Sequence, residues 1–134
     1  MSQWTHVAGV VRFDAFSIGK PVVEPEFKTV SFSDDERKWD ECNVPCGSEG
    51  SLTVSKVDVY RTEHQSFTTY SFSGDLRDYG MEELDELVLW IQSLVPDSKT
   101  NPVIIRQGIF EIAIEGQEPI IYLYDSDEET FKKV

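Results

Sequence analysis

"GDLRDYGMEELDELVLWIQSLVP", residues 74–96, is the stretch on which the fold turns. Met81, Leu84, Leu87, Val88, Ile91, Leu94 and Val95 recur at spacings of 3, 4 and 7, the period of an amphipathic helix with one apolar stripe. Glu82, Glu83, Asp85 and Glu86 fill the first turns, where the helix dipole favours anions. Pro96 stops the helix. The segment leading into it, "FSGDLRDYG", carries Asp75, Arg77, Asp78 and Tyr79 in a polar connection. It reads either as a recognition loop or as a helix start in which Asp78 caps and Arg77 pairs with a neighbouring acid.

The flanking segments have strand character. "WTHVAGVVRF", 4–13, sets Val7, Val11 and Phe13 on one face and Val10 on the other. "SLTVSKVDVYR", 51–61, and "SFTTYSFS", 66–73, predict two more strands joined by a hairpin at "TEHQ" and ended by Gly74. Phe67 falls opposite Tyr70 and Phe72. "PVIIRQGIFEIAIEG" and "PIIYLYD" predict a last pair around Glu115-Gly116-Gln117-Glu118. Residues 14–33 read as a loop, with room for a short extended piece. "SDDERKWDE", 33–41, reads as one or two helical turns with Ser33 as N-cap and Glu36 at the third position. The tail 126–134 reads as a short turn or as frayed. This order predicts one α+β domain over residues 1–134. Its antiparallel sheet would pack on one main amphipathic helix, in a ferredoxin-like βαββαβ arrangement with an extra C-terminal strand.

The 134 residues carry 25 acidic and 12 basic groups, for a net charge of −13. Segments 34–50, 75–97 and 125–134 hold −4, −6 and −2, which is 12 of the 13 net negative charges. Such acidity opposes direct binding to nucleic acid and to anionic membranes, and favours a partner with a basic surface or simple solubility. No run of 18 apolar residues is present to span a membrane. The start "MSQWTHVAGVV" has no basic region before its apolar run, so a secretory signal is not expected. Two cysteines in such a chain predict a reducing, cytoplasmic setting with thiols that are not bridged.

Motifs of catalysis are weak. Cys42 and Cys46 in "CNVPCGSEGSL" lack the two-residue spacing of a redox pair, and a metal site would need His6 and His64, which stand apart from them. "GSEG" lacks the lysine and the length of a phosphate loop, and its glutamate would repel an anion. The stretch reads instead as a bend that uses positive φ at Gly47 or Gly50. No G-x-S-x-G elbow and no HExxH occur, and the acidic setting would raise a thiol's pKa. Neither an enzymatic activity nor a cofactor or metal is expected.

The blocks "WTHVAG", "PCGSEGSL" and "GDLRDY", in this order, resemble a family of small acidic proteins encoded by bacteriophages. The resemblance covers most of residues 3–94. It brings no assigned activity or site residues, but implies the class of inhibitors of host machinery or host defence. On that footing the expected function is a non-enzymatic block of a host protein. Asp34, Asp35, Glu36, Asp75, Asp78, Glu82, Glu83, Asp85 and Glu86 would present carboxylates in imitation of nucleic-acid phosphates. Two alternatives stand beside it. One is a small-molecule-binding or sequestering protein, in which Gly47, Ser48, Arg77 and Tyr79 line a pocket near the 42–52 and 74–80 loops. The other is a phage structural or assembly component, and a homo-oligomer is left open.

Overall fold

The computed structural model describes residues 3–22, 27–29, 43–96 and 103–134. Its frame is one six-stranded sheet. Strand β1 (Trp4–Phe16) is followed by the two-residue strands β2 (Lys28–Thr29) and β3 (Asn43–Val44), which pair with each other in parallel. Then come β4 (Thr53–Arg61) and β5 (Gln65–Arg77), a 3-10 turn (Met81–Glu83) and helix α1 (Leu84–Ser93). Strands β6 (Val103–Ile114), β7 (Ile120–Asp125) and β8 (Thr130–Lys133) complete the chain. The sheet order is β4-β5-β1-β6-β7-β8, and every neighbouring pair is antiparallel. β5 and β6 both run against β1, so they are parallel to each other, and α1 carries the chain from one to the other.

The ferredoxin-like α+β expectation is therefore corrected. Three strands of 12 or 13 residues dominate the fold, whereas the helix has only 10. The apolar stripe that predicted a helix from Met81 is real, but its first residues form the 3-10 turn, and Met81 is exposed. Leu87, Ile91 and Leu94 are buried as their spacing requires, and Trp90, not counted in the stripe although it stands three residues after Leu87, is wholly buried. Gly74 does not end a strand. It lies inside β5 opposite Val7, and β5 continues to Arg77. The tail is neither a turn alone nor frayed: Thr130–Lys133 add the last strand. The short helix expected at 33–41 lies outside the described residues, as does Cys42.

The alternation read from the sequence holds along β1 and β5. Val7, Val11 and Phe13 are buried while Val10 is exposed, and Tyr70 and Phe72 are buried on the face opposite Phe67. The covered face has an aromatic centre. Trp90 meets Phe72 and Phe110 edge-on, with ring centroids 5.5 and 5.4 Å apart. Gly9 is what lets these rings converge. It sits between Phe72 and Phe110 across the sheet, and a β-carbon there would lie 2.2 Å from the Phe110 ring. Gln92 ties the helix to the outer strand. Its Nε2 donates to the Phe131 carbonyl at 2.6 Å, and its Oε1 accepts from the Phe131 amide at 3.0 Å and the Thr130 hydroxyl at 2.8 Å. A single amide side chain thus satisfies strand backbone that would otherwise be left unpaired. Among the described residues no helix is long and apolar enough to cross a membrane.

Candidate functional site

Two stretches singled out in the sequence meet at one end of the sheet. After β3 the chain bends through 46–51, where Cys46 bridges Ser51 and the Gly47 amide donates to the Gly50 carbonyl at 2.9 Å. Gly50 has φ +76°, the left-handed conformation expected of this bend. Gly47 is required for a different reason: a β-carbon there would lie 2.4 Å from the carbonyl oxygen of Arg77. The bend is laid on the last residues of β5. Ser48 N–H donates to the Arg77 carbonyl at 3.0 Å, and Arg77 N–H donates to the Glu49 carbonyl at 3.1 Å.

The side chains follow the same pairing. The Arg77 guanidinium holds Glu49 at 2.5 Å, and the Ser48 hydroxyl donates to Asp78. Arg77 therefore does pair with an acid, but one 28 residues away rather than a neighbour. Asp78 does not cap the helix. It turns the chain with φ +65°, and its amide donates to the Gln3 carbonyl at 2.8 Å. The helical segment is instead opened by Gly80 and Glu83: the Gly80 amide donates to the Glu83 carboxylate at 2.8 Å, and the Glu83 amide to the Gly80 carbonyl at 3.1 Å. Tyr79 is wholly buried, and its carbonyl accepts from the Thr5 hydroxyl. Of the four residues expected to line a ligand pocket, Gly47, Ser48 and Arg77 are brought together by mutual contacts, and Tyr79 belongs to the core.

The carboxylates surround this junction. Asp75 lies on the uncovered face with its Oδ1 3.0 Å from His6 Nδ1. Glu115, across the start of β1, accepts from the Trp4 amide at 3.1 Å. Glu82 and Asp85 are exposed, Asp78, Glu83 and Glu86 half-buried. An open depression of about 480 Å³ is lined by Gln3, Asp78, Gly80, Met81, Glu82 and Glu83. The acidic lining continues along the helix toward β7, where burial, and secondarily the negative charge of Asp85, pushes the Tyr122 phenol up from its ordinary value. Asp34, Asp35 and Glu36 lie outside the described residues. Among the described residues no three His, Cys, Asp or Glu side chains are grouped to hold a metal ion.

A second ionic cluster, which the sequence reading missed, sits toward the other end of β1. Asp14 is wholly buried. Arg12 Nε reaches its Oδ1 at 3.0 Å and Arg106 Nε its Oδ2 at 2.9 Å. Arg106 gets there because β6 bulges: Arg12 pairs with Gln107 and Phe13 with Ile105, which leaves Arg106 as the extra residue. Arg12 also lies over the Phe67 ring, 5.1 Å from its centroid. The alternation of Arg12 and Asp14 on one strand face was the available signal. The third member, 92 residues away, had none.

No family model, curated protein or solved structure matches the chain.

Proposed function

We propose that the chain is a non-enzymatic binding protein that blocks a partner with a basic surface, acting as a phage-type inhibitor of a bacterial host protein. The supporting observation is the gathering of Asp75, Asp78, Glu82, Glu83, Asp85 and Glu86 around one end of the sheet, with Glu49 and Glu115 beside them. The arginine in this region, Arg77, is already held by Glu49. Like charges so placed repel one another, and an oppositely charged surface relieves that repulsion. Asp75 sits in β5, and the 3-10 turn and α1 carry Glu82, Glu83, Asp85 and Glu86, so little order need be gained on binding. Glu82 in the 3-10 turn and Asp85 and Glu86 at the start of α1 follow one another closely along the chain, and would take the place of phosphates at a nucleic-acid-binding surface. The resemblance to phage proteins supports a host protein as the target.

The test is capture from a bacterial lysate on the immobilised chain. Bound protein should be released between ~50 and 500 mM salt, as the screening length shrinks, and displaced by duplex DNA. Capture indifferent to both salt and DNA would overturn the reading.

A further inference from the structure

Among the described residues strand β4 is an outer strand of the sheet, and from Ser55 to Arg61 every residue is exposed. Val57 and Val59 are 62% and 61% exposed. An outer strand presents a row of backbone donors and acceptors to any strand that can lie beside it. The sequence here, "TVSKVDVYR", is complementary to its own reverse: Lys56 and Asp58 flank Val57. We propose that two copies of the chain pair antiparallel along β4 about a two-fold axis at Val57, so that one sheet runs on into the other.

In this register Val57 faces Val57 of the second copy. Lys56 faces its Asp58, and Asp58 its Lys56. Within one chain Lys56 Nζ already lies 3.8 Å from Asp58 Oδ1. Pairing therefore sets four charges of alternating sign side by side on one face. Sliding the partner by two residues in either direction puts Lys56 against Lys56 or Asp58 against Asp58, and like charges directly opposite are destabilising. An odd slide would set side chains of opposite sheet faces against each other, which a two-fold axis perpendicular to the sheet forbids. The bulge in β4, between Asp58 and Tyr60, lies just beyond the paired charges.

The charge of the whole chain agrees with this edge as the meeting place. Two copies at −13 repel, but β4 holds two bases and one acid. Antiparallel pairing also sends the two acidic ends in opposite directions. The inference rests on β4 alone and is independent of what the carboxylates bind.

Two measurements test it. In a Cys42→Ser/Cys46→Ser background, Val57→Cys should form a covalent dimer on mild oxidation. Ser55→Cys should not, because the two Ser55 residues would lie four positions apart, ~13 Å along the strand. Sedimentation velocity needs no cysteine change. The wild-type chain should reach twice its mass with rising concentration. Lys56→Asp should weaken the dimer about tenfold or more, since two facing pairs become repulsive, and Lys56→Asp/Asp58→Lys should restore it. A wild-type chain that stays monomeric at ~100 μM, where even a weak pairing with a free energy near −5.5 kcal/mol is half formed, overturns the proposal. So does a dimer that Lys56→Asp leaves intact, or cross-linking as ready at position 55 as at 57.

Discussion

The two ends of the central strand treat negative charge in opposite ways. Near Trp4, carboxylates gather at the surface around Arg77, which Glu49 already pairs. Toward Phe16, one carboxylate is wholly buried, and two arginines converge on it. The first arrangement adds repulsion that the fold must tolerate. The second removes a charge from water and needs both partners to do so. The difference separates surface from structure: exchanging exposed acids should leave the fold intact, whereas replacing Asp14 should destabilise it.

That contrast can be broken or sharpened by substitution, with the aromatic centre as a yardstick. Trp90→Ala should cost ~3–5 kcal/mol in denaturant unfolding, because a wholly buried ring between Phe72 and Phe110 is lost. Asp14→Ala should follow, at ~2–3 kcal/mol; both arginines are partly exposed and can turn to water, which keeps the cost below that of a fully buried pair. Gly9→Ala should cost ~1–3 kcal/mol, since the added methyl must displace the Phe110 ring. Glu82→Lys/Asp85→Lys should change stability by less than ~1 kcal/mol, because lost repulsion offsets the lost interaction with the helix dipole. If the double reversal destabilised as much as Asp14→Ala, the acidic end would be structural and the contrast would fail.

Much of the covered face was legible in the sequence. The stripe through Leu87, Ile91 and Leu94 and the alternation of Val7, Val11 and Phe13 are local periodicities, and burial follows them. The architecture was not legible, because its decisive contacts are non-local. Gly74 reads as a strand breaker, yet here it marks the close approach of the Ser51 backbone, where a β-carbon would lie 2.3 Å from the carbonyl oxygen. The tail is mostly polar, and its strand depends on Phe131 and on a helix amide that no pattern links to it. Trp90, three residues after Leu87 and four before Leu94, fits the same helical period and was legible as part of the stripe. At the site, the Gly50 turn was legible from composition. The pairing of Arg77 with Glu49 and of Ser48 with Asp78 required the 46–51 bend to be laid on β5.

The most direct test of the acidic end is binding at matched stability. Glu82→Lys/Asp85→Lys and the wild-type chain should be compared by calorimetric titration against one purified captured partner, at ~50 mM salt, after unfolding curves show them to be equally stable. The double reversal should lose at least about tenfold in affinity, a change of ~1.4 kcal/mol or more. Equal affinity for the two folded chains would contradict it.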